Sequence, residues 1–174
     1  MAQSDNAHQA IILGIDPGLS ITGYGLICVE RGRASSLAYG GIRSPGKTAT
    51  LPEKLVRIYQ ELSAVIAEYH PQYCAIEEVF YHENVNTAIV MGHARGVAML
   101  AASQAGIEVA EYAAREVKMS TVGSGAASKQ QVQAMVTRLL GLPEPPKPQD
   151  AADALAVALC HFHRLKFQRM VKRR

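Results

Sequence analysis

Two short stretches, residues 10–15 (AIILGI) and 73–76 (YCAI), are apolar almost without interruption, and each ends on an acid, Asp16 and Glu77. So continuous an apolar run needs cover on both faces, as in a central strand of a sheet flanked by helices. Between the runs, Leu55, Ile58, Tyr59, Leu62, Val65, Ile66 and Tyr69 recur at helical spacing. A Thr50-x-x-Glu53 capping box opens this helix and Pro71 lies beyond its end. A strand, helix, strand crossover pairs the second strand parallel to an earlier one. Asp16 and Glu77 then stand at strand C-termini, and if the two strands are neighbours they emerge side by side.

The remaining elements follow from the same patterns. Residues 22–29 and 37–43 are strand candidates joined by a tight turn at Gly32-Arg33, giving a three-stranded meander with the first run. Residues 87–105 are small and apolar nearly all round, with Gly92 and Gly96 four apart, which predicts a helix that is deeply buried or part of a subunit contact. Residues 109–112 form a fifth strand. Ser128 and Gln131 cap a helix with Val132, Met135, Val136, Leu139 and Leu140 inside. Residues 143–148 make a Pro-rich connector, and residues 151–165 a last helix with Asp150 and Asp153 in its first turn. The expected fold is α/β, a mixed five-stranded sheet flanked by helices, in one domain over residues 10–165. Residues 1–9 form a flexible extension and residues 166–174 a basic tail. An apolar share of 48% suffices for such a core.

Charge is nearly balanced, 18 Lys and Arg against 15 Asp and Glu, so the net +3 implies no polyanionic partner by itself. The distribution is more informative: Arg164, Lys166, Arg169, Lys172, Arg173 and Arg174 close the chain without an acid, a local field that attracts phosphates. Cys28, Cys74 and Cys160 suggest neither a disulfide framework nor a zinc site, which fits a reducing cytoplasm. The polar N-terminus lacks the features of a secretory signal, and no apolar run approaches membrane-spanning length.

Asp16, Glu77, Asp150 and Asp153 form the candidate chemistry. Positions i and i+3 put Asp150 and Asp153 on one helix face, about 5–6 Å apart at Cβ. Gathered carboxylates repel one another and raise each other's pKa unless a cation is present. Magnesium prefers oxygen ligands, and two such ions can activate water and stabilise the leaving oxygen in phosphodiester hydrolysis. Singly, each acid has a plainer role, as an Asx turn, an exposed strand end, a helix cap or a dipole partner.

Residues 12–18 (ILGIDPG) with 22–25 (TGYG), 75–80 (AIEEVF) and 149–156 (QDAADALA) resemble the RuvC family of crossover-junction endodeoxyribonucleases. Residues 92–97 (GHARGV) and 111–118 (EYAAREVK) agree, so the resemblance spans nearly the whole chain in order. It implies an RNase H-like fold, a homodimer, and magnesium-dependent paired nicking of four-way (Holliday) DNA junctions in recombination and repair. It implies one or two Mg2+ per subunit, with Mn2+ as a substitute, held by Asp16, Glu77, Asp150 and Asp153. Lys118 and Lys129 match basic positions near the scissile phosphate, and Arg115 falls in a matching DNA-contacting segment. Phe80 matches an aromatic that stacks on junction bases. A bacterial cytoplasmic setting and a branch-migration helicase complex as partner are implied by the family alone. Residues 87–105 are the candidate dimer contact, since a twofold pair of active sites suits a junction of matching symmetry.

Three rival readings compete with this one. Residues 41–48 (GIRSPGKT) fit the phosphate-loop pattern, but that loop must open a helix at its Gly-Lys-Thr, whereas the capping box starts the helix at Thr50 and Pro52 would break an earlier one. An actin-like ATPase needs two related domains. A non-catalytic junction binder would leave the acids without a task.

Overall fold

The computed structural model describes residues 9–78 and 85–172. Strands β1 (Ala10–Asp16), β2 (Ile21–Glu30) and β3 (Arg33–Arg43) form an antiparallel meander. Helix α1 (Leu51–Tyr69) crosses over to β4 (Tyr73–Glu77), and α2 (Val85–Gln104) leads to β5 (Glu108–Tyr112). Helices α3 (Ala114–Val122), α4 (Lys129–Leu139) and α5 (Gln149–Lys172) complete the chain. The sheet order is β3-β2-β1-β4-β5, with β4 parallel to both β1 and β5. This is the mixed five-stranded sheet the sequence predicts.

The sheet has two covered faces. Leu13, Ile15, Leu26, Cys74 and Ile76 meet Ile58, Leu62 and Ile66 of α1 and the alanines of α2 on one side. Ile12, Val29, Ala75 and Tyr112 meet α3, α4 and α5 on the other. Burial on both sides accounts for the continuous apolar character of β1 and β4.

Helix α5 lies on glycine. An added Cβ at Gly14 would come within 2.1 Å of the Ala154 carbonyl oxygen, and one at Gly23 within 2.0 Å of that of Asp150. The helix answers with Ala151, Ala152, Ala154, Ala156 and Ala158, all buried. Small residues on both partners let helix backbone and sheet backbone touch, and that contact sets where the first turn of α5 comes to rest.

Several boundaries differ from the sequence expectation. The β2–β3 turn falls at Arg31-Gly32, one residue early, with φ of 50° and 76° at the two positions. β3 begins at Arg33 because pairing with β2 draws the polar Ser35 and Ser36 into the ladder. Residues 114–122 form a helix that the apolar periodicity did not announce. α5 continues to Lys172 rather than ending at Leu165, with Arg169 and Lys172 in its last turn, where cations favour the helix dipole. The phosphate-loop rival fails on geometry, since helix α1 starts at Leu51, beyond the Gly-Lys-Thr, with its capping box at Thr50 and Glu53 formed.

Candidate active site

Strand register brings the first two acids together. Ile15 pairs with Ile76 in parallel, so Asp16 and Glu77 are the next residues of adjacent strands and share a face. Asp16 also pairs with Gly23, and Gly23 abuts the Asp150 backbone at the start of α5. The sheet end and the helix N-terminus therefore meet at one place. Among residues 151–162, Asp153 is the one residue not buried, and it opens into the same cleft.

This cleft, about 140 Å3, is lined by Asp16, Glu77, Asp153, Lys118 and Lys129, with Val117, Val132, Ala114 and Ala156 as its apolar walls. Lys118 comes from α3 and Lys129 from the first residue of α4. The Lys129 Nζ donates to Asp153 Oδ2 at 2.9 Å. Asp150 lies outside the lining, yet close enough for its charge to act on Asp16. Among the described residues, no three acid, His or Cys side chains converge tightly enough in this arrangement to grip one ion.

Burial, then repulsion from Glu77 and Asp153, drives the Asp16 carboxyl up to about 8; Lys129 opposes and Asp150 adds a little. Burial and Asp153 push Glu77 up to about 7, against Lys129 and Lys118. For Lys129, burial disfavours the charged form but is outweighed by the hydrogen bond and charge of Asp153, so its pKa is raised. Two lysines thus leave the acids under-compensated, and the site calls for further positive charge. The donors are hard carboxylate oxygens, with no His or Cys among the described residues lining the cleft. That chemistry fits magnesium or manganese rather than zinc or copper.

A buried layer backs the site. Glu77 pairs in register with Tyr112, whose hydroxyl hydrogen-bonds the Nδ1 of His161 at 2.7 Å. His163 points elsewhere, to Ser120 at 3.0 Å, so the two histidines share no ligand. Nothing in the sequence pattern announced the Tyr112–His161 pair. On the opposite face Arg95 of α2 is bound to Glu111 of β5. Arg115 is exposed on α3, against Gly125 and outside the cleft lining. Phe80 lies outside the described residues.

Acids at the ends of neighbouring strands and at the start of a crossing helix, with lysines over them, suit a phosphoryl-transfer enzyme on an RNase H-like sheet. The particular family follows from comparison. Residues 12–161 match the family model of crossover junction endodeoxyribonuclease RuvC. The RuvC proteins of Alkaliphilus oremlandii (strain OhILAs) and Heliobacterium modesticaldum (strain ATCC 51547 / Ice1) are 53% and 54% identical, over 93% and 89% of this chain and 98% and 95% of their own lengths. The structure of T. thermophilus RuvC in complex with Holliday junction substrate superposes with a TM-score of 0.85 at 32% identity, covering 91% of this chain and 96% of that one. The chain belongs to the RuvC family: it is a nuclease that hydrolyses phosphodiester bonds in DNA, of a kind that depends on a divalent metal. No helix of the described residues is long and apolar enough to cross a membrane.

Proposed function

We propose that the chain resolves four-way (Holliday) junctions by paired symmetric nicks, with Asp16, Glu77, Asp150 and Asp153 holding one or two Mg2+ at each active site. The observation that carries this reading is the meeting of Asp16, Glu77 and Asp153 with two lysines in one cleft. Bound divalent ions would supply an activated water and stabilise the departing oxygen. Asp16 and Glu77, ionising reluctantly, give up their protons as cations enter. Lys129 exchanges its bond to Asp153 for a substrate phosphate oxygen, and Lys118 offers a second cation to the charge that develops there. Phe80 stacks on junction bases and Arg115 contacts junction DNA.

Two subunits related by a twofold axis match the symmetry of the junction, and α2 is the contact we assign to the dimer. Its exposed positions Val85, Ile89, Gly92, His93, Gly96 and Leu100 fall on one stripe. Residues 10–165 make the nuclease unit. The setting is the bacterial cytoplasm, where a branch-migration helicase complex is the partner.

Incubation of the purified protein with a synthetic four-way junction or a linear duplex, each with magnesium or chelator, tests the reading. Paired nicks are expected in the junction with magnesium alone. Asp16→Asn should lower the cleavage rate by at least about a thousandfold while gel-shift binding of the junction persists. Nicking retained by that variant removes Asp16 from the mechanism, and junction binding without magnesium-dependent cleavage favours the non-catalytic reading.

A further inference from the structure

We propose that a groove between the C-terminal part of α5, the start of β1 and the β2–β3 turn docks an acidic peptide segment of a partner protein that carries an apolar anchor side chain. The groove measures about 390 Å3, at the small end of the range for specific ligand sites. Ile12, Val29 and Phe162 form its floor, and Arg31, Lys166 and Arg169 stand among its lining residues, which include no acid among the described residues. The floor residues belong to the main core, at 0%, 8% and 9% exposure, so the core opens to the surface at this place.

The groove is separate from the catalytic cleft. Ala10 borders the groove and Asp16 the cleft, at opposite ends of β1, roughly 20 Å apart at strand rise. The acids thus lie at one end of the sheet and these cations at the other. On α5, Phe162, Leu165, Lys166, Arg169 and Met170 face the groove at positions i, i+3, i+4, i+7 and i+8, one helical stripe about 12 Å long. That length accommodates a short segment rather than a domain.

Charge and shape select the occupant. A DNA backbone would satisfy Arg31, Lys166 and Arg169 but offers no aliphatic group for the floor. A bilayer surface is flat, whereas the floor is recessed among cations and is reached only by a projecting side chain. The chain's own residues 1–9 contain one acid, Asp5, and one large apolar residue, Met1, too little to complement three cations and a floor of this extent. A segment with Asp or Glu on both sides of a Leu, Ile, Phe or Met meets both requirements.

The test uses the full-length protein and an array of octapeptides with four acids flanking two central anchor positions, the anchors varied among Leu, Ile, Phe, Met and Ser. Fluorescence anisotropy then measures the best binder, its Ser-Ser counterpart and its Lys-for-acid counterpart. The expected result is micromolar binding by at least one apolar-anchored acidic peptide, weakened at least fivefold by Ser-Ser and tenfold or more by charge inversion. Arg31→Glu with Arg169→Glu should weaken it tenfold or more. Met170→Asp, an exposed groove residue, should weaken it severalfold while thermal melts show all variants folded. Junction DNA should not displace the peptide. Equal binding by Ser-Ser peptides, no binding above the Ser-Ser background at 200 μM, or a tenfold loss of oligonucleotide affinity in the Arg31 and Arg169 double variant with peptide binding unaltered would each overturn the proposal.

Discussion

Helices α2 and α5 each carry five alanines, yet the fold treats them differently. In α5 the stretch from Ala151 to Phe162 is buried except for Asp153. In α2 only Ala94, Ala98, Ala101 and Ala102 are buried, while Ile89 and Leu100 remain 55% and 49% exposed. The difference lies in what covers them. α5 has the sheet beneath it and α3 and α4 against it, whereas α2 lies on the sheet's other face beside α1 with its outer side left uncovered by the described residues. An apolar helix therefore states a need for cover without saying who provides it: α5 finds it within the chain, and on our reading α2 finds it in a second copy.

Glycine substitutions test this contrast most severely. Gly14→Ala drives a methyl into the Ala154 carbonyl and should cost about 3 kcal/mol or more, near 10 °C in melting temperature, with cleavage falling as α5 shifts. Beyond its chain neighbours and its own helix backbone, a methyl added at Gly96 would meet no heavy atom of the described residues within 4 Å. Under monomeric conditions Gly96→Ala should be neutral or stabilising by up to about 1 kcal/mol. Equal losses in both variants, measured by thermal unfolding, would erase the distinction.

A smaller effect probes the outer side of α2. Ile89→Lys with Leu100→Lys should raise the dimer dissociation constant about thirtyfold, roughly 2 kcal/mol, by sedimentation velocity. Circular dichroism should report an intact fold, because both side chains already face water in the single chain. An unchanged dimer would move the contact elsewhere.

Most of the fold was legible because β1 and β4 are apolar without alternation and each ends on an acid. The capping boxes at Thr50 and Ser128 likewise announced α1 and α4, and both are formed. The seat of α5 was not legible: Gly14 and Gly23 fall inside strand candidates, and their close approach to α5 shows only once the crossing helix is placed over them. The helix α3 was missed because only Val117 and Thr121 of its nine residues are buried, too few for a periodic signal. Of the site, the acids stood out by position, whereas Lys118 and Lys129 entered only through the family resemblance. Their lysine identity alone does not separate a cleft residue from a solvated one, and the Lys129–Asp153 bond joins residues 24 apart in sequence.

The mildest prediction concerns the acidic end of α5, the one place where its burial is interrupted. Asp16 has its carboxyl pushed to about 8 in the folded chain, from 3.8 for an unperturbed group. Between those values the folded state keeps a proton that the unfolded state has lost, so stability from this group is full below about pH 4 and drains away as pH rises towards 8. Asp16→Asn carries no such penalty. In chelator the variant should therefore melt above the parent, with a gap that widens by about 3–6 °C from pH 5 to pH 8. His161 and His163, both with lowered pKa, act in the opposite sense below pH 6.5, but they are common to both proteins and cancel in the difference. Saturating magnesium should close the gap by stabilising the parent, since cations bound by the carboxylates replace the missing compensation. A gap that narrows with rising pH in chelator would mean that Asp16 is not held under the strain of its neighbours, and α5 would then deliver Asp153 to a place where no concentrated negative charge exists.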